Sequence, residues 1–347
     1  MRVLVTGAGG FIGSHIAEHA VAAGHAVRAV VLPSEDTSLL RKWGVELVVG
    51  DLVDPEVAGR AVAGCEVIFN AVGNVNIYAP RDVLYRGNVS ATESVIKAAA
   101  AAGVRRMVLA SSYVVSLGSS FHYWKGGVIA EQRPVAPRFW RWDYYTRTKV
   151  AVEQAVLRAH DEGLLEAVPL RIGWVYGSRN RVTLPVLVKM LRRGQLMIMG
   201  DGRNRLGLVH VTDVARAFLL AGNGNVAAGR PYVIEGVAER PTVTQADFLN
   251  ALADLIGAPR PRRVPFGVAL ALGTVLETIW HLHRTDDQPP LSSFVVHLVG
   301  RDQHFDTSCA EYELGWKPQV SLEAGMREVQ AWLEHEQSNV LRQEATT

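Results

Sequence analysis

The stretch VLVTGAGGFIGSH, residues 3–15, sets Gly7, Gly10 and Gly13 three apart between two apolar runs of different period. Before the glycines, Val3 to Thr6 is a short run rich in β-branched residues and reads as a strand. After them, SHIAEHAVAAG (residues 14–24) has helical spacing and stops at Gly24. Each glycine answers a separate demand in such a turn. Gly7 permits the tight bend, Gly10 lets backbone approach a pyrophosphate, and Gly13 lets helix and strand pack closely. The helix start then offers free N–H groups and the positive end of its dipole to phosphates. A glycine triplet alone fits any tight strand-to-helix turn; the strand before it and the helix after it carry the dinucleotide reading. Phe11 and Ile12 lie inside the same loop and join the expected cofactor contacts.

Outward from this loop the pattern repeats. Strand-like runs recur at 26–32, 45–51, 65–73, 105–112 and 165–177, with helical runs at 91–103 and 144–163 among them. Strands alternating with helices imply a parallel sheet covered on both faces, and right-handed crossovers make it doubly wound. The expected class is α/β: a Rossmann domain over residues 1–177, with a segment returning near 206–235. A smaller mixed region at 178–335 would bind or cap the substrate, and 336–347 would be a flexible tail. Within the second region, residues 244–257 read as a helix opened by Thr244 as its N-cap.

Composition narrows the function. The 36 Lys and Arg against 34 Asp and Glu leave +2, no basic field for nucleic acid. The two cysteines, Cys65 and Cys309, make neither a metal cluster nor a disulfide framework, which fits a reducing compartment. The chain begins on an apolar strand with no charged leader before it, so a cytoplasmic protein is expected. The apolar segment 264–280 is broken by Pro265, Gly267 and Gly273 and meets Glu277 before reaching the ~20 residues of a spanning helix. It reads as a buried or substrate-capping helix. Arg260, Arg262 and Arg263 beside it leave peripheral membrane contact open as the less favoured reading.

Tyr145 and Lys149 are four apart in a helical run and share a face. A nearby ammonium favours phenolate, so this spacing predicts a tyrosine usable as proton donor or acceptor. Tyr144 is turned roughly 100° away, towards Thr148, and is expected to pack or line the site. Ser111 and Ser112 end a strand upstream, where open α/β sheets bind ligands. The cofactor's outer half is less defined. Val31 and Leu32 end the second strand where NAD-binding chains put a carboxylate; Glu35 and Asp36 lie further on, and Arg41 and Lys42 later still. The missing carboxylate favours NADP over NAD. Asp51 could accept from an adenine amino group or cap a helix.

The combination of TGAGGFIG, GDL, LASS, YTRTK and LRIGWVYG resembles the extended branch of the short-chain dehydrogenase/reductase superfamily across nearly the whole chain. The resemblance implies that Ser112, Tyr145 and Lys149 form a catalytic set that uses NAD(P). Asp51, with Leu52 beside it, would face adenine; Ala71 and Val72 would run along the cofactor ribose; Ile172, where relatives usually carry proline, and Val175 would pass the nicotinamide. It also implies a homodimer through the helices near 90–102 and 145–160. Tyr113 and Val114 stand where 4,6-dehydratases carry Asp-Glu, and Ser116 replaces the tyrosine common in sugar-nucleotide enzymes. The C-terminal half, from VPFGVALALGTVLETIWHLHR to ELGWKPQVSLEAG, is similar to 3β-hydroxysteroid dehydrogenase-like proteins. The expected activity is hydride transfer between nicotinamide and a secondary alcohol or ketone of a lipophilic substrate. A sugar-nucleotide epimerase is the enzymatic alternative. A non-catalytic dinucleotide sensor is the other, although such sensors typically lack the Tyr–Lys pair. His210 is read as a structural strand-end residue before an acid–base one.

Overall fold

Seven parallel strands build the central sheet: β1 (Arg2–Thr6), β2 (Ala26–Val31), β3 (Glu46–Val49), β4 (Val67–Asn70), β5 (Arg106–Ser112), β6 (Glu166–Ile172) and β7 (Tyr232–Ile234). Their order is β7-β6-β5-β4-β1-β2-β3. The order reverses between β1 and β4, so the loops leaving these strands diverge and open a crevice at the carboxyl edge. The computed structural model describes residues 1–117, 128–135, 139, 142–240, 242–283, 289 and 291–344, with side chains through residue 336.

The two faces of the sheet have separate cores, set by the two-residue period of a strand. On one face Val3, Val5, Phe69 and Val108 pack with Ile16 of α1 (Phe11–Ala22). On the other, Leu4, Ile68 and Met107 pack with α2 (Pro55–Val62), α3 (Ala91–Ala102) and α4 (Tyr144–Asp161). The first face is completed by Phe218 of α5 (Val211–Gly222), which meets Phe69 edge-on at 5.9 Å. The doubly wound α/β architecture is as expected.

Beyond β6 the chain builds a smaller apolar cluster around Leu208, Phe248, Leu252 and Met326. It gathers α6 (Gln245–Leu255), the helix Thr183–Arg192 and α9 (Leu322–Glu344). Thr244 caps α6 as expected, and Asp247 reaches back to complete a capping box. Between α6 and α9, α7 (Phe266–His283) packs on α8 (Ser293–Gly300). The expected apolar helix therefore exists, and no described helix is long and apolar enough to cross a membrane. Helix α9 runs through most of the stretch expected to be a tail, and 345–347 lie outside the described residues.

One expectation needs correction. Residues 165–177 do not form one strand. The chain breaks at Gly173, whose N–H bonds Ile234, and a methyl group built there would sit 2.3 Å from the Gly207 carbonyl oxygen. Trp174–Tyr176 then pairs in parallel with Leu208–His210, away from the main sheet. Val175 thus belongs to a different pairing from Ile172, which stays in β6 opposite Ser112.

Candidate active site

The glycine loop has the shape its spacing requires. Gly7 has φ +65°, the left-handed region, and a methyl group there would lie 2.7 Å from the Ala71 carbonyl oxygen. At Gly13 a methyl group would lie 2.0 Å from the Gly7 carbonyl oxygen, so only glycine lets α1 start this close to β1. Gly10 is the N-cap of α1 and offers no side-chain oxygen, and no acidic residue occupies the first turn around Phe11 and Ile12. The first N–H groups of α1 are therefore free of side-chain caps, as a pyrophosphate requires. Thr6 gives its hydroxyl to Asn70 at 2.6 Å and accepts from Val72 N at 3.2 Å, which ties the β1 loop to Ala71 and Val72. These residues fit a dinucleotide.

At the outer end, a carboxylate from beyond β2 lies against the glycine loop. Val31 and Leu32 carry no charge, but the chain turns and brings Glu35 back. Its carboxylate accepts from Leu32 N at 2.8 Å and lies against Gly9, where a methyl group would come within 2.9 Å of a carboxylate oxygen. The absence that favoured NADP is thus an absence in β2 alone. Asp51 accepts from Val53 N at 3.0 Å and pairs with Arg86 at 2.6 Å. The Val53 hydrogen bond first, and Arg86 with it, holds its carboxyl below the usual range. Leu52 is buried in the core.

At the carboxyl end of β5, the Ser112 hydroxyl neighbours the Tyr145 hydroxyl and acts to lower its pKa, while accepting from Val114 N at 3.5 Å. Burial pushes the Tyr145 phenol up to about 12. Lys149 is one turn along α4 and nearly buried; its ammonium donates to the Ala110 carbonyl at 3.0 Å, and burial lowers it to about 8. Ser112 and Tyr145 are neighbours and Lys149 lies one turn along α4, but the electrostatics differ from the expectation drawn from spacing. The lysine points to the β5 backbone and the loop at Gly73, and desolvation, not a neighbouring cation, governs the phenol. Tyr144 lies half-buried with the Arg147 guanidinium over its ring at 5.9 Å.

Two further groups were not read from the sequence. Asn88, buried in a π-helical turn (Tyr85–Ser90), accepts from Asn74 N at 2.5 Å and donates to Thr148 at 2.9 Å. It fastens the loop after β4 to the turn of α4 that carries Lys149. Glu153 follows Lys149 by four residues and is fully buried. It accepts from Ser111 and from Arg171, whose Nη2 lies 2.6 Å away. Tyr145, Lys149 and Glu153 occupy successive turns of one face, and the last clamps that face to β5 and β6.

Other groups close the surroundings. Tyr113, where dehydratases place an acid, is buried, meets Phe305 edge-on at 5.4 Å and accepts from Gln303 at 3.4 Å. Trp142 stacks on His281 of α7 at 4.0 Å, and Trp280 meets Tyr78 at 5.7 Å. His210 is buried at the end of its strand, where its ring accepts from Thr212 N at the start of α5. Burial lowers its pKa, and its other ring nitrogen lies 3.3 Å from the Glu328 carboxylate.

Comparison with known proteins agrees with this architecture. The model of the NAD dependent epimerase/dehydratase family matches residues 3–234. The chain is 31% identical to a 2-alkyl-3-oxoalkanoate reductase of Stenotrophomonas maltophilia, over 95% of this chain and 99% of that one. It is 27% identical to 3beta-hydroxysteroid-dehydrogenase/decarboxylase isoform 2 of Arabidopsis thaliana, over 93% of this chain and 60% of that one. Among solved structures it is similar to MoeE5 in complex with UDP-glucuronic acid and NAD. That likeness has a TM-score of 0.70 and 25% identity, over 97% of this chain and all of that one.

Proposed function

The chain belongs to the NAD dependent epimerase/dehydratase family, in the extended short-chain dehydrogenase/reductase superfamily, and is an oxidoreductase; from that premise we propose that it interconverts a ketone and a secondary alcohol on a lipophilic small molecule. The observation that carries the reading is the Ser112–Tyr145 hydroxyl pair at the carboxyl edge of the sheet, with Lys149 one turn along. In this proposal Ser112 and Tyr145 hold the substrate oxygen between two hydroxyls, and Tyr145 donates the proton in reduction or accepts it in oxidation. Bound nicotinamide would supply or accept the hydride. Asn88 holds the loop at Asn74 in register with α4, and Lys149 is anchored on the Ala110 carbonyl beside it. The apolar cluster on which Tyr145 packs, with Tyr113, Val114, Leu117 and Ile129 at its centre and Leu298 and Phe305 at its edge, favours a water-poor substrate. The 2-alkyl-3-oxoalkanoate reductase supports a β-keto acid, and the 3β-hydroxysteroid enzyme supports a sterol. The assembly that goes with this reading is a homodimer through α3 and α4.

A hydride-transfer screen decides it. Long-chain β-keto acids, 3-ketosteroids and sugar nucleotides are offered with NADH, and cofactor absorbance is followed. Net oxidation is expected with one of the first two classes. Epimer formation from a sugar nucleotide, with no net change in cofactor absorbance, would assign the chain to epimerisation instead.

The cofactor proposal turns on Glu35. A carboxylate held against Gly9 can accept from a ribose 2′-hydroxyl, and it repels a 2′-phosphate. We therefore read the site as selective for NAD. Glu35→Gln is expected to weaken NADH and improve NADPH, shifting their affinity ratio by about tenfold or more. Fluorescence titration of each cofactor in the absence of substrate measures it. An unchanged ratio would remove Glu35 from the ribose site.

A further inference from the structure

Helix α7 turns an uncharged face to the outside. Val268, Leu272, Val275, Ile279 and Leu282 are between 43% and 75% exposed. Their alternating four and three spacing lines them up along one side of the helix. Only Glu277 of the 18 residues carries a formal charge, and it is buried, accepting from Ser293 N at 3.1 Å. Two threonines border the stripe, but Thr274 gives its hydroxyl to the Leu270 carbonyl at 2.8 Å and Thr278 to the Thr274 carbonyl at 2.7 Å. Their donors are satisfied within the helix, so covering this face strands no hydroxyl proton. A helix at the surface of a globular protein ordinarily carries its charges outward. An apolar surface of this continuity marks a contact with something else.

The flanks indicate what that is. Arg262 and Arg263, on the strand Arg262–Val264 just before α7, are exposed and have no ion-pair partner among the described residues. A second copy of the chain is a poor match. A strip about 27 Å long and about 10 Å wide falls well short of the roughly 800 Å² per partner of a stable protein interface. An apolar stripe with cations at its end matches the surface of an anionic bilayer.

We propose that α7 docks the protein on an anionic lipid bilayer, with its apolar stripe at the acyl boundary and Arg262 and Arg263 on the headgroups. Peripheral membrane contact, the less favoured reading of the sequence, becomes the favoured one once the apolar residues of the helix are placed outside. The docking stands on the helix face alone. Joined to the proposed reduction of a lipophilic ketone, it gives the arrangement a purpose. The inner side of the same helix is tied through Trp280 to Tyr78 and through His281 to Trp142, three residues before Tyr145. A substrate dissolved in lipid would then reach the site beside the helix that touches the lipid.

The test is cosedimentation with vesicles, one set of phosphatidylcholine and one mixed with phosphatidylglycerol, with no substrate present. Wild-type protein is expected to pellet with the mixed vesicles and less with the neutral ones. Val275→Glu combined with Ile279→Glu should lower that binding by about tenfold or more, with melting temperature and NADH binding unchanged. Arg262→Gln combined with Arg263→Gln should abolish the preference for anionic vesicles. Wild-type protein that stays in the supernatant with both vesicle sets overturns the proposal, as does undiminished binding by the glutamate variant. If vesicles are ignored and the glutamate variant instead splits an oligomer in sedimentation velocity, the stripe belongs to a second copy. None of these readings uses turnover, so a failure of the proposed reaction would leave them standing.

Discussion

Tyr145→Phe is expected to lower turnover by about 10²–10⁴-fold, the usual contribution of a positioned general acid, while NADH binds as before. The substitution removes one oxygen and keeps the ring that packs against the cluster of Tyr113, Val114, Leu117 and Ile129. What is lost is the phenol hydroxyl beside Ser112, the proton donor of the proposed reaction. The pH dependence separates the tyrosine from the lysine. Burial holds the phenol at about 12, so in the reducing direction Tyr145 keeps its proton throughout the neutral range. Burial lowers Lys149 to about 8, and the ammonium is present only below that value. Activity for ketone reduction should therefore fall as pH rises through about 8. Lys149→Arg, whose guanidinium stays protonated, should move that limb to higher pH even if it lowers the maximum. Full activity in Tyr145→Phe would end the proton-donor assignment, and an unmoved limb in Lys149→Arg would detach it from the lysine.

The parts legible in the sequence are those whose requirements are local. Gly7 and Gly13 are dictated by backbone approach within a few residues, and Tyr145 and Lys149 by the pitch of one helix. The alternation of strands and helices follows from burial of both faces of a parallel sheet. What escaped depends on chain reversal or on distant partners. Glu35 lies beyond the end of β2 and becomes relevant only because a turn carries its carboxylate back to Gly9. Asn88 meets Thr148 across 60 residues, in a π-helical turn that no simple period announces. The direction taken by the Lys149 ammonium was illegible for the same reason, since its acceptor is the backbone of β5. Arg171 was quoted inside a motif, but its partner Glu153 appears in the sequence as one more polar residue of an amphipathic helix.

That last pair should be the most costly structural change near the site. Arg171 and Glu153 are 3% and 0% exposed, and the guanidinium gives the carboxylate three contacts between 2.6 and 3.3 Å. Its remaining arm donates to the Arg133 carbonyl at 2.7 Å and the Glu131 carbonyl at 3.3 Å. Glu153→Ala leaves that cation buried without its counter-charge and should destabilise the fold by about 3–5 kcal/mol. The Ser111 hydroxyl loses its acceptor in the same step. Replacing both members at once, Glu153→Leu with Arg171→Met, removes the stranded charge and should recover most of the loss, because a buried ion pair and an apolar pair of similar volume have similar net worth. Urea unfolding of the two single variants and the double variant measures the coupling. A double variant as unstable as the sum of the singles would show that the clamp is not an ion pair in the energetic sense. If the recovery is seen, activity measured on the recovered fold then asks a second question. Lys149 sits one turn before Glu153 on α4, so a stable double variant with lowered turnover would show that the charged clamp also sets the height of the Tyr145–Lys149 face above β5.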